Sequence, residues 1–225
     1  MKVKHLKAVL ISSVVVLVIV GCIVVADSLI NKNKVSGNYA GSDDDSGPKE
    51  TVVLDPFLTS DRITADYLTV NPYSRPGDEL SQVNAIVVHY VGNPGTTAAQ
   101  NRNYFENLKD THTTSASSHY IIGLEGEIIQ CVPLSEISYA SNDRNDDTIA
   151  IENCHPDATG KFNRSTYDSL VELTAALCRT YGLNPQTDVI RHYDVTGKHC
   201  PLYYVENEDE WYAFKMAVEN MLNNQ

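Results

Sequence analysis

The run Val189-Ile190-Arg191 constrains this chain more than any other stretch. It is a short β-branched segment, which reads as the end of a buried strand. It stops at His192, and a loop containing Gly197 then carries the chain to Cys200-Pro201. A strand of this kind needs neighbours in a sheet. An imidazole and a thiol flanking one loop are also ligand types that zinc accepts. Two ligands do not hold a catalytic ion, so a third must come from another strand. The run Ala85-Ile86-Val87-Val88-His89-Tyr90 is the best source. If both strands lie in one sheet, His89, His192 and Cys200 converge at their ends.

The surrounding pattern supports such a sheet. Asn84 to Tyr90, His119 to Gly123, Glu127 to Val132, Thr148 to Asn153 and Asp188 to Arg191 are strand-like, and Glu125-Gly126 predicts a hairpin between the second and third. Helices are predicted over Thr97–Lys109, with Tyr104, Phe105 and Leu108 on one side, over Ser165–Tyr181 and over Glu208–Leu222. Ser165 is the expected N-cap of the second, Asp168 falls in its first turn, and Gly182 stops it. Asp110–Ser118 and Asp143–Asp147 read as loops. Strands alternating with helices, plus one hairpin, give an α/β class: a mixed central β-sheet flanked by α-helices.

The N-terminal region has a different character. Lysines at 2, 4 and 7 precede an uncharged, nearly all apolar run from Ala8 to Ala26. Its length suits a helix across the ~30 Å hydrocarbon core of a bilayer. Basic residues before it favour an N-terminus inside and a body outside. Residues 1–26 are therefore expected to form a membrane anchor, a single transmembrane helix at the cell membrane with an extracytoplasmic C-terminal domain. The rival is a lipoprotein attached through Cys22, because Ile19-Val20-Gly21-Cys22 is lipobox-like. Residues 27–50 read as a flexible linker, residues 51–80 as an extended lead-in with Pro56, Pro72 and Pro76, and residues 81–225 as the folded domain.

Charge and cysteine content narrow the function. The net charge is −12 with no basic cluster in the body, which excludes a typical nucleic-acid binder. Five scattered cysteines do not make a disulfide scaffold. With Cys22 in the apolar run and Cys200 a candidate ligand, at most one bridge fits among Cys131, Cys154 and Cys178. Buried free thiols are the plainer reading. Three protein ligands leave one zinc position open, which is the catalytic form of such a site. The chemistry then needs a base, and Glu152, at the end of Thr148-Ile149-Ala150-Ile151, is best placed. Lys198 is a candidate for stabilising an oxyanion. His119 is a candidate for orienting a ligand, and Arg75 for facing a substrate carboxylate. Glu125, Glu127 and Glu136 read as surface residues.

Four motifs in series carry a resemblance: Ile86-Val87-Val88-His89-Tyr90, Ser118-His119-Tyr120-Ile121-Ile122, Ile149-Ala150-Ile151-Glu152 and Arg191-His192-Tyr193-Asp194-Val195-Thr196-Gly197-Lys198-His199-Cys200-Pro201. From about Ser81 to Leu222 the chain resembles the zinc-dependent N-acetylmuramoyl-L-alanine amidases of the type 2 amidase and peptidoglycan recognition protein family. The resemblance implies zinc held by His89, His192 and Cys200, Glu152 as general base and Lys198 at the oxyanion. It implies hydrolysis of the amide between the lactyl group of N-acetylmuramic acid and L-alanine, with peptidoglycan or muropeptide as substrate. Arg75, His119 and Tyr139 are the candidate substrate contacts. Two positions depart from relatives: Ser118 stands where the phage-lysozyme branch has a catalytic Tyr, and Tyr139 where others carry a His. The alternative within the same family is a non-catalytic peptidoglycan-binding module. A structural zinc protein would need a fourth ligand, for which the loop offers only His199. Oligomeric state is not readable from the sequence.

Overall fold

The computed structural model describes residues 52–224. A six-stranded sheet forms its centre, with strands β1 (Ile63–Ala65), β2 (Ala85–Tyr90), β3 (Tyr120–Ile122), β4 (Ile128–Gln130), β5 (Thr148–Asn153) and β6 (Val189–Arg191). Their order across the sheet is β1-β4-β3-β5-β2-β6. Only β3 and β4 pair antiparallel, as the hairpin at Glu125-Gly126 requires; the other neighbours run parallel. Gly126 adopts φ +83°, and a Cβ there would lie 2.9 Å from Ser169 Oγ and 3.0 Å from the Ser165 carbonyl, so the turn is seated directly on a helix. The helices are α1 (Ala98–Thr111), α2 (Arg164–Tyr181), α3 (Pro185–Asp188), α4 (His192–Thr196), α5 (Leu202–Glu206) and α6 (Glu208–Asn223).

Period-two alternation gives the sheet two unlike faces. Ile86, Val88, Tyr120, Ile122, Ile128, Ile149 and Ile151 lie on one, packed with Leu170, Leu173, Leu177, Trp211, Phe214 and Val218 of α2 and α6. Each such aliphatic side chain contributes roughly 1.5–3 kcal/mol on full burial, so this face holds most of the core. On the opposite face Ile121 meets Phe105 and Leu108 of α1 together with Leu68, Cys131, Val132 and Cys154. His89 and Glu152 belong to this second face, at the C-terminal ends of β2 and β5, where parallel strands commonly present a site.

Several expectations are corrected. The sheet reaches back beyond Ser81, because β1 pairs in parallel with β4 and Leu58 and Leu68 are buried. The lead-in is therefore part of the fold, tied in by Asp55, which takes Arg179 Nε at 2.5 Å. Asn163, not Ser165, caps α2 by accepting from Thr166 N at 3.0 Å, so Asp168 falls outside the first turn and instead pairs with Arg164. Thr97 lies before α1 as its N-cap, in a reciprocal capping box with Gln100. Tyr104 is exposed while Phe105 and Leu108 are buried. Asp188 ends α3 instead of opening β6, and the stretch after Arg191, expected as a loop, begins as α4 with His192 its first residue. Cys131, Cys154 and Cys178 are free and buried. The expected membrane helix and linker, Cys22 included, lie outside the described residues. Among the described residues no helix is long and apolar enough to cross a membrane.

Candidate active site

The parallel register sets the first two groups. His89 on β2 is paired with Glu152 on β5, so their side chains leave the same face from neighbouring strands, which are ~4.8 Å apart. β6 flanks β2 on its other side, with Val88 opposite Arg191. The next residue, His192, starts α4 beside His89; the ring centroids are 4.6 Å apart. Arg191 anchors this corner through Asp194, Glu208 and the Tyr204 carbonyl. After Gly197 turns the chain with φ +76°, Cys200 returns to the site, where its carbonyl accepts from Tyr193 N at 2.9 Å.

These three residues meet. One ligand atom from each of His89, His192 and Cys200 lies within 4.8 Å of the others, and all three residues are buried. His89 Nδ1 is 3.8 Å from Cys200 Sγ. Zinc bonds of ~2.0 Å to nitrogen and ~2.3 Å to sulfur, at a tetrahedral angle, put such a pair about 3.6 Å apart. Burial keeps both imidazoles neutral, holding His89 well below and His192 below the ordinary value, with Lys198 acting in the same direction. Burial pushes the Cys200 thiol up to about 12, Glu152 adding to it while Tyr90 N–H and Lys198 oppose it. Two neutral imidazoles, a sulfur and a nearby carboxylate suit a divalent cation, which would compensate the charge that burial disfavours. The residues present fit zinc.

Glu152 stands beside this cluster. Its Oε2 is buried and has no hydrogen-bond partner. Burial raises its pKa to about 7, against the pull of Lys198. Lys198 is exposed at the rim. Among the described residues every other Lys and Arg is tied to a carboxylate, a carbonyl or an aromatic ring. A cleft of about 650 Å³ opens over these groups, with Tyr90, Tyr139 and Asn142 among its walls.

Not every candidate is here. Arg75 does not face the cleft: its guanidinium pairs with both oxygens of Glu136, each at 2.7 Å, and donates to the Leu68 carbonyl. Glu136 is accordingly not the free surface carboxylate expected. His119 touches none of the cluster. It is buried, accepts from Ala150 N at 3.0 Å through Nδ1, and its Nε2 meets the Glu136 carbonyl at 2.9 Å, so it braces the sheet against the Ser138 loop. Tyr139 does line the cleft. The sequence reading missed Asn142, whose Oδ1 meets His192 Nε2 at 3.0 Å. Its only local signal was an Asn inside a loop, the residue type that tolerates the left-handed φ of 52° found here.

Fold and site together define a mixed α/β protein with a His-His-Cys cluster and a half-buried glutamate at the C-terminal ends of parallel strands. Residues 79–202 match the family described as N-acetylmuramoyl-L-alanine amidase, the Amidase_2 family, and the chain belongs to it. It is 32% identical over 182 residues to the N-acetylmuramoyl-L-alanine amidase BlyA of Bacillus subtilis (strain 168), a match covering 72% of this chain and 48% of BlyA. It is likewise 32% identical over 177 residues to the amidase CwlL of Bacillus licheniformis, covering 73% of this chain and 48% of CwlL. The chain thus spans about half the length of the curated relatives it matches. Among solved structures, the catalytic domain of XlyA is similar at a TM-score of 0.58 and 27% identity, covering 69% of this chain and 98% of that domain.

Proposed function

We propose that this protein is a zinc-dependent N-acetylmuramoyl-L-alanine amidase that cleaves the lactyl-L-alanine amide of peptidoglycan. The observation that carries the reading is the meeting of His89, His192 and Cys200 beside the unpartnered carboxylate of Glu152 in one open cleft. His89, His192 and Cys200 would hold zinc. When bound, the ion supplies Lewis-acid polarisation of the scissile carbonyl and makes water more acidic. Glu152, with a pKa of about 7, is poised to accept a proton from the attacking water and return it to the departing amine of alanine. Lys198 places an unpaired cation at the rim, where negative charge grows on the former carbonyl oxygen. Tyr90 and Tyr139 wall the cleft and would flank the substrate. Residues 1–26 are proposed to tether this domain to the outer face of the cell membrane, on the strength of the apolar run and its flanking lysines.

Digestion of purified peptidoglycan tests the activity. An amidase releases new alanine amino termini and no new reducing sugar ends. Reducing ends would make it a glycosidase, and retention on the wall without any release would make it a recognition module.

A further inference from the structure

The loop between β4 and β5 reaches over both imidazoles. Asn145 Oδ1 accepts from Ala140 N at 3.0 Å and from Ser141 N at 2.6 Å, which folds the loop back on itself. This presents two consecutive side chains to the cluster. Asn142 Oδ1 lies 3.0 Å from His192 Nε2, and Ser141 Oγ lies 3.5 Å from His89 Nε2. Both contacts fall on the ε nitrogens, while the δ nitrogen of His89 is the one facing Cys200 Sγ. An amide oxygen accepts only, so Nε2 of a neutral His192 must carry its proton, and Nδ1 is left with the free lone pair.

We propose that Asn142 is a positioning residue that locks His192 in the Nε2–H tautomer and, with Ser141 set against His89, sets the zinc affinity of the site. The inference rests on the reading of His89, His192 and Cys200 as zinc ligands, and extends it to a residue outside that set. Imidazole ligands gain orientation and basicity from an acceptor on their far nitrogen, and losing one typically costs 10–100-fold in metal affinity. Asn142 sits at φ 52°, a backbone state that few side chains adopt without strain. Asn142→Gly therefore removes the amide while keeping the backbone state open. Asn142→Asp keeps an oxygen acceptor in place.

The test is competition for zinc between the full-length chain and a chromophoric chelator, with thermal unfolding of each metal-free chain alongside. Asn142→Gly is expected to weaken zinc binding 10–100-fold with its metal-free melting temperature nearly unchanged. Asn142→Asp is expected to bind zinc at least as tightly as wild type. Ser141→Ala should show a smaller loss. Zinc binding by Asn142→Gly within about twofold of wild type, or clear weakening in Asn142→Asp, would overturn the inference while leaving the zinc reading intact. A wild-type chain that binds no zinc would overturn both.

Discussion

Glu152 is costly where it stands. A half-buried carboxylate with an orphaned oxygen gives up part of its hydration with only the charge of Lys198 in return, and burial raises its pKa to about 7. Glu152→Ala should leave zinc content unchanged and lower turnover about 10²–10⁴-fold, the range of a general base; near-normal turnover would place the base elsewhere. A different carboxylate reports on stability. Burial alone would raise Glu106, but hydrogen bonds from Lys109 and from the hydroxyl and N–H of Thr69, with the charge of Arg102, hold it down at about 2. A depressed carboxylate stabilises the fold above its unfolded pKa and loses that contribution as pH falls towards the folded one. Stability should drop between about pH 4.5 and 2, and Glu106→Gln should flatten that limb in denaturant melts. His119 acts in a higher window: burial lowers it to about 4, so its contribution is complete above about pH 6.5 and lost as pH falls towards 4.

At the scale of elements, the edge of the sheet carries a further lesson. Three residues of β1 cover β4, and the segments before and after it bring Leu58 and Leu68 into the core. A chain beginning at Ser81 would expose the outer edge of β4 and forfeit both leucines, each worth roughly 1.5–3 kcal/mol. It should unfold at least ~3 kcal/mol more easily than a chain beginning at Thr51, measured by chemical denaturation. Equal stability would show that the lead-in only decorates the fold. The ends of β2 and β6 and the return at Cys200 position the His-His-Cys cluster, while the loop from Ser138 to Asn145 supplies the contacts behind it.

For the molecule as a whole, the proposed tether and the proposed substrate belong together. An amidase held at the outer face of the membrane acts on wall within reach of its linker. Removal of residues 1–26 should shift the protein from the membrane fraction to the soluble one while purified peptidoglycan is still cleaved. Co-sedimentation of the truncated chain with membranes would count against the tether. Alternating strand and helix periods, the hairpin at Glu125-Gly126 and the polar residues ending apolar runs at His89 and Glu152 were legible because each depends on neighbours within one element. So was the ligand chemistry that Cys200 offers, since sulfur and imidazole chemistry belongs to the residue. Arg75, His119, Asn142 and the strand Ile63–Ala65 were not, because each owes its role to a partner distant in the chain: Glu136, Ala150, His192 and Ile128 onward. Local composition determines which groups can do chemistry and which segments can pair. Which of them meet is decided by strand register and by loops folding back over the sheet, and that requires the folded chain.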